Sequence, residues 1–247
     1  MKDAGSIVVT GASSGIGKSV AIQLSNSGYN VIATARRKEK LNEIYRGDSN
    51  IQILPWDLSE LSSIAKYAEQ IRDLSNCITG IVHCAGIEKS HAVTMIKERI
   101  LTEVFYINTF AAMLLVSQFS KRGMMVPGGS FVLLSSAAAY NGTYGQSVYT
   151  ASKSALNGFV KATASELAEK QLRINAIAPG IVQTEMIKNF YNKLENNKRE
   201  EIERKYPLGI GEPSDVANFI EYLISDKSKW ITGQVFILDG GFTVRKP

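Results

Sequence analysis

Short apolar runs rich in β-branched residues recur along this chain, and each leads into a stretch whose apolar residues return at helical spacing. The runs are Ser6–Thr10, Asn30–Ala35, Ile51–Trp56, Thr79–Cys84, Gly129–Ser135, Leu172–Pro179 and Gln234–Leu238. A run that is apolar throughout, rather than at alternate positions, reads as a strand buried on both faces. Such strands separated by helices are parallel, because a crossover helix returns the chain to the same end of the sheet. The pattern predicts an α/β fold with a doubly wound, seven-stranded parallel sheet flanked by helices, in one domain over residues 1–247. Helices are expected over Ser59–Leu74, Leu101–Gln118, Tyr149–Lys170 and Glu212–Ser225. The charged stretch Gln183–Tyr206 is helical in pattern and poorly anchored, as a mobile substrate lid would be.

Composition narrows the class. Hydrophobic residues at 45% and charged residues at 21% are in the globular range. Two cysteines, Cys77 and Cys84, and two histidines, His83 and His91, suggest neither a disulfide framework nor a metal centre. The opening residues show no charged-then-apolar leader, and no uninterrupted apolar run approaches the roughly 18 residues of a membrane span. A soluble, cytoplasmic protein with no membrane partner is expected. The net charge of +5 would suit an acidic partner. Its cations are scattered, however, and the densest cluster, Lys193–Lys205, is interleaved with acids, so no nucleic-acid partner is expected.

The first run carries more than structure. Gly11, Gly15 and Gly17 follow Ser6–Thr10 in TGASSGIG and open a helix. In that context glycines let a pyrophosphate reach the backbone, and the helix start offers free N–H groups. This is a Rossmann-type dinucleotide turn. After the second run Ala35 stands where an acid would hold the ribose hydroxyls, and Arg36 and Arg37 follow, which favours NADP(H) over NAD(H). Ser13 and Ser14 are candidate further contacts to the 2′-phosphate. Asp57, with Leu58 behind it, ends the third run, either against the adenine edge or as a helix cap. Ala85 and Gly86 end the fourth, where small residues let a flat ring lie close. His83, inside that run, reads as a hydrogen-bonded structural residue rather than an acid–base group. Asn108 is an amide in an apolar helix and needs partners, which suggests a structural or water-holding role near the site.

The chemistry centres on Gly129–Gly180. Tyr149 and Lys153 are four apart on a predicted helix, hence on one face. An ammonium beside a phenol is expected to lower the phenol pKa, making Tyr149 a proton donor to a carbonyl oxygen or an acceptor in reverse. Ser136 is placed to orient that oxygen.

These motifs together resemble the short-chain dehydrogenase/reductase family over essentially the whole chain. Thr10–Gly17 matches its TGxxxGIG turn, including Ile16, and YTASK matches YxASK, with Ser136 thirteen residues before Tyr149. Pro179-Gly180 and Thr184 fit its PGxxxT segment, and Asp239-Gly240-Gly241 its terminal DGG. The resemblance implies Tyr149 as acid–base, Lys153 bonding the nicotinamide ribose, Ser136 binding substrate and Asn108 holding a relay water. It implies that Ile181 and Thr184 meet the nicotinamide carboxamide, and that the chain forms homotetramers. The family's usual NNAG is replaced here by His83-Cys84-Ala85-Gly86. Within the family the chain is most similar to 3-oxoacyl-(acyl carrier protein) reductases. Lys170 falls on a basic position those enzymes use to meet the carrier, with Lys121 and Arg122 extending the patch. The enoyl-reductase branch is disfavoured, because its tyrosine and lysine lie further apart. The other readings are a dehydrogenase of small alcohols, sugars or steroids, and a non-catalytic nucleotide sensor. Tyr140, Tyr144 and Met186 are candidate pocket residues.

Overall fold

The computed structural model of the chain describes residues 5–75, 77–192 and 196–244, with the side chains of all but Met186, Asn189, Phe190 and Asn196. The chain begins β1 (Ser6–Thr10), α1 (Gly15–Asn26), β2 (Asn30–Thr34), α2 (Lys38–Ile44) and β3 (Ile51–Ile53). Then follow α3 (Ile64–Leu74), β4 (Ile78–His83), α4 (Glu98–Phe105), a π-helical turn (Tyr106–Phe110) and α5 (Ala111–Phe119). The second half runs β5 (Ser130–Leu134), α6 (Ser147–Glu169), β6 (Arg173–Pro179), α7 (Glu185–Tyr191), α8 (Asn196–Glu203), α9 (Pro213–Ile224) and β7 (Val235–Leu238).

The seven strands are all parallel, in the order β3-β2-β1-β4-β5-β6-β7. Successive strands step outward from β1 in one direction and from β4 in the other. The crossovers therefore diverge between those two strands and open a crevice at their carboxyl ends. Thr10 of β1 pairs with Thr34 on one side and His83 on the other, so all three stand at that edge.

The unbroken apolar character of the strands is explained by two cores. Val8, Ile32, Ile81, Phe131 and Leu133 pack on one face against Tyr67, Leu115, Phe119 and Leu156 of α3, α5 and α6. Their neighbours Ile7, Val9, Val31, Val82 and Val132 pack on the other against Val20, Leu24, Ile220 and Leu223 of α1 and α9. Alternate side chains of one strand thus feed opposite layers, which leaves polar residues such as Thr10, Thr34 and His83 to the strand ends.

The elements differ from the sequence reading mostly at their ends. β3 stops at Ile53, short of the predicted Trp56, because Pro55 has no N–H for a ladder. The N–H groups of Leu54 and Trp56 still reach the carbonyls of Ala33 and Ala35, at 2.9 and 3.1 Å. The helix expected from Ser59 begins later, after a 3₁₀ turn at Leu61–Ser63. Asp57 holds the Ser59 N–H and hydroxyl at 3.0 and 2.7 Å, which fixes a turn ahead of it. The α4–α5 run, Glu98–Phe119, is 22 residues long with a mean hydropathy of 1.6 over its most apolar stretch, which corrects the sequence reading: it is long and apolar enough to cross a bilayer. That apolarity serves packing, since Val104, Ala111, Ala112, Leu115 and Phe119 are fully buried in the molecule.

Phe131, at the middle of β5 and fully buried, measures how much the first core contributes. Phe131→Ala is expected to lower unfolding free energy by about 3–5 kcal/mol, read from the midpoint and slope of urea denaturation.

Candidate active site

The sequence-predicted residues converge on one cleft of about 1570 Å³ at the carboxyl edge of the sheet. Gly11, Ser13, Ser14, Gly15, Ile16 and Gly17 line it from the turn after β1, and Arg36, Arg37, Asp57 and Leu58 from the ends of the next two strands. Ala85 and Gly86 line it after β4, Ser136, Tyr149 and Lys153 after β5 and on α6, and Pro179, Gly180, Ile181 and Thr184 after β6. Asn108 stands behind this wall rather than in it. Its Oδ1 is 3.1 Å from where a Cβ on Gly86 would lie, and Lys153 Nζ is 3.4 Å from the same point. A side chain at Gly86 would therefore press on both groups.

The nucleotide end is built from backbone and cations. A Cβ on Gly17 would sit 2.4 Å from the Gly11 carbonyl oxygen, so only glycine lets α1 start so close to the turn. The first N–H groups of α1 then open toward the cleft, as an anionic pyrophosphate requires. Arg37 Nη2 donates to Ser13 Oγ at 3.0 Å, and the Arg36 guanidinium lies 3.9 Å from Asp57. Asp57 thus spends its carboxylate on Ser59 and Arg36. Two guanidiniums and a hydroxyl at the end of β2, with Ala35 leaving no acid there, fit a dinucleotide bearing a 2′-phosphate. No group of three or more acid, histidine or cysteine side chains that could hold a metal ion occurs among the described residues.

At the other end α6 carries Tyr149 and Lys153 one turn apart, with the lysine Nζ 5.9 Å from the phenol ring centre. Lys153 is 3% exposed and donates to the Leu134 carbonyl at 2.7 Å. Burial pushes its ammonium down to about 8, with Cys84 pulling weakly the other way. Tyr149 departs from the sequence reading. Burial holds its phenol above the ordinary value, the Ser136 hydroxyl draws it back in part, and Glu88 raises it further. The expected lowering by Lys153 is absent because the ammonium turns to Leu134 rather than to the phenol oxygen. Ser136 Oγ accepts the Ala138 N–H at 3.2 Å, and its own proton is turned toward the Tyr149 oxygen.

Asn108, fully buried, has the partners its position demands. Its Nδ2 donates to the Ile87 carbonyl at 2.9 Å and to Ser152 Oγ at 3.0 Å, and its Oδ1 accepts the Ile87 N–H at 2.8 Å. His83 is fully buried and hydrogen-bonded, as the structural reading requires, and burial pushes its imidazole down to about 3. Cys84 is likewise no ready nucleophile, its thiol being pushed up to about 12 by burial.

Several residues at the site had no role in the sequence reading. Ser152, inside YTASK, points to Asn108 and was marked only by its place in that motif. Tyr206 donates no sequence signal at all, yet its hydroxyl accepts the Ile181 N–H at 3.2 Å and its ring stacks on Phe242 at 4.8 Å. Glu88 and Gln146 join the loops flanking Tyr149 across 3.4 Å, and Lys89 pairs with Glu103 behind them. Tyr144 lines the cleft and Tyr140 does not, while the Met186 side chain and residues 193–195 of the expected lid lie outside the described residues. Lys170 Nζ donates at 3.1 Å to the carbonyl of Ser120, the residue before Lys121 in the chain.

Comparison with known proteins agrees with this geometry. The family profile described as enoyl-(acyl carrier protein) reductase matches residues 11–243. A 3-oxoacyl-(acyl-carrier-protein) reductase of Thermotoga maritima is 33% identical over 96% of this chain and 97% of its own. Carbonyl reductase family member 4 of Danio rerio is 31% identical over 95% and 96%. Among solved structures, an actinorhodin polyketide ketoreductase with NADPH superposes with a TM-score of 0.90 at 26% identity, over 99% of each chain. The chain belongs to the short-chain dehydrogenase/reductase family. The Tyr149–Lys153 spacing, one helical turn, matches the YxxxK pattern rather than the wider spacing of the enoyl-reductase branch.

Proposed function

We propose that this protein is an NADPH-dependent ketoreductase that converts a carbonyl to a secondary alcohol, acting on a 3-oxoacyl thioester borne by acyl carrier protein or coenzyme A. The observation that carries the reading is the meeting of Ser136, Tyr149 and Lys153 in a cleft whose far end offers Arg36, Arg37 and Ser13. Relatives named as 3-oxoacyl-(acyl-carrier-protein) reductases and ketoreductase and NADP-bound neighbours support the substrate and cofactor classes. Bound in this cleft, NADPH supplies the hydride.

The chain supplies the rest. Ser136, whose hydroxyl faces the Tyr149 oxygen, turns its proton to the substrate carbonyl oxygen and fixes its orientation. Tyr149, held neutral by burial, gives its phenolic proton to that oxygen as negative charge develops there. Lys153 keeps a positive charge near the phenolate so formed and bonds the nicotinamide ribose. Asn108 holds the chain's end of a proton path to Lys153, which lies across Gly86 from it. Ile181 and Thr184 would hold the nicotinamide carboxamide, and the Ile181 N–H is set by Tyr206.

Residues 1–247 form a single domain on this reading, and residues 183–206 serve as its substrate lid. α7 in that lid is joined to α2 by the ion pair of Glu185 with Lys40, at 3.1 Å. An exposed pair of that kind is worth about 0–1 kcal/mol, so it yields readily. The protein works as a cytoplasmic homotetramer. Leu101, Tyr106 and Phe110, exposed on one helical run, suit a subunit contact. Lys170, Lys121 and Arg122 form the patch that meets an acidic carrier.

Three outcomes follow from this assignment. Tyr149→Phe keeps the ring and is expected to lower kcat by about 10²- to 10⁴-fold, measured as thioester-dependent NADPH oxidation, while NADPH binding persists. A variant that binds NADPH and retains wild-type turnover removes Tyr149 from the chemistry; a wild type that binds NADPH and reduces no carbonyl favours the sensor. Arg37→Ala is expected to raise the KM for NADPH about tenfold or more, with the KM for NADH unmoved; equal effects on both would place the arginine away from the 2′-phosphate. The pH profile carries the sign of Lys153. Its ammonium is charged below about 8 and lost above, so kcat/KM for reduction falls as pH rises through that value, by about tenfold per unit.

A further inference from the structure

His83 is the residue that the sequence singled out and the reaction leaves unused. Its ring bridges two elements from the end of β4: Nδ1 lies 3.0 Å from Thr10 Oγ1, and Nε2 lies 3.4 Å from the Ile107 carbonyl oxygen. Counting protons fixes its form. The Ile107 carbonyl can only accept, so Nε2 carries the single proton of the neutral ring and donates it there. Nδ1 is then an acceptor for the Thr10 hydroxyl proton, while Thr10 Oγ1 accepts the Ala85 N–H at 3.2 Å.

Ile107 sits inside the π-helical turn Tyr106–Phe110, immediately before Asn108. In such a turn the backbone slips from the α-helical ladder, as the Ala111 N–H bonding to the Tyr106 carbonyl shows. A slipped turn has other registers close in energy, and an outside donor to one of its carbonyls selects among them. The imidazole is that donor, delivered from a strand rather than from a neighbouring helix. Its other nitrogen is tied through Thr10 to Ala85, in the segment that faces the cofactor cleft.

We propose that His83 is a positioning residue for Asn108: in its neutral Nε2–H form it pins the π-helical turn to β4 and so sets Asn108 against Ile87, Gly86 and Ser152. An asparagine, the family's usual residue here, is shorter by the reach of half a ring. It offers a partner to Thr10 and ends before Ile107. Burial disfavours a cation at His83, and Lys153, the charged group that acts on it, does the same. The link is accordingly a fixed strut rather than a pH switch.

The role in catalysis rests on the ketoreductase reading; the role in holding the turn does not. Two variants separate the two nitrogens. His83→Asn keeps a group near the Nδ1 place and loses the reach to Ile107. His83→Gln keeps a donor near the Nε2 place. Both are compared with wild type by NADPH-dependent reduction of a 3-oxoacyl thioester, by amide hydrogen exchange over 104–112, and by urea denaturation. His83→Asn is expected to lower kcat about tenfold or more with the KM for NADPH unchanged, and to speed exchange at 108–112 specifically. His83→Gln should recover most of both. In an Asn108→Ala background, adding His83→Asn should cost no further kcat, because the residue it positions is gone. Wild-type turnover and protection in His83→Asn overturn the proposal. So do equal damage from the glutamine, losses that add in the double variant, or exchange that rises evenly across the sheet. A wild type that turns over no such thioester defeats the ketoreductase reading instead, and the exchange comparison still decides this one.

Discussion

A single buried carboxamide holds the reacting half of this protein together. Asn108 has lost all contact with water, so each of its polar atoms must find a partner in the chain or cost about 1–3 kcal/mol. It finds them on two elements that share no other covalent or sheet connection: the segment after β4, through both polar groups of Ile87, and α6, through Ser152. Ser152 in turn donates to the Tyr149 carbonyl, and Thr109 donates to the Ser152 carbonyl. The position of the catalytic helix relative to the cofactor-facing strand end is thereby set within hydrogen-bond tolerance. Ser135 completes the lock from β5 by donating to Asn157 of α6 at 2.7 Å. Packing against an apolar face alone would let α6 slide by fractions of a turn; directional bonds to its backbone do not.

The same burial decides the electrostatics. Tyr149 and Lys153 are each pushed toward the neutral form, the phenol upward and the ammonium downward to about 8. The two ordinary values, 10.0 and 10.5, are thereby driven apart and inverted, so the ammonium becomes the stronger acid of the pair and can return a proton to a phenolate beside it. At neutral pH the phenol is still protonated and the amine still charged. The site is then loaded with two donors, as the addition of hydride to a carbonyl requires. The sequence argument that an ammonium beside a phenol lowers its pKa treats the pair as if in water; here the loss of hydration raises the phenol, and the ammonium, turned to Leu134, does not offset it.

Much of the architecture was legible because both sheet faces are buried. Ser6–Thr10, apolar at every position between its two end residues, cannot be a half-exposed strand, and Pro213 at a first helical turn marks the start of α9. What escaped was whatever local chemistry overrides pattern. Asp57 captured Ser59 and delayed a helix, and Pro55 shortened a strand. The π-helical turn at Tyr106–Phe110 has no signature in apolar spacing, since a single inserted residue shifts the stripe without breaking it.

The site divides along the same line. Its nucleotide end is made by contiguous residues whose roles depend on backbone shape and on side chains that protrude directly from strand ends, so Gly11–Gly17 and Arg36-Arg37 could be named from sequence. Its substrate end is assembled by pairs far apart in the chain. Glu88 meets Gln146, Lys40 meets Glu185, and Ile181 meets Tyr206, none of them separated by a helical or strand interval. Bonds of that kind exist only once the sheet has brought the loops together. They also vary without disturbing the fold, because they lie outside both cores. A family that keeps its cofactor chemistry and changes its substrates would place its variation there, and this chain carries an acid, Glu88, within electrostatic reach of the tyrosine. Glu88 also lines the cleft, and a negative charge there disfavours a free carboxylate beside the phenol and suits an acid already masked as a thioester.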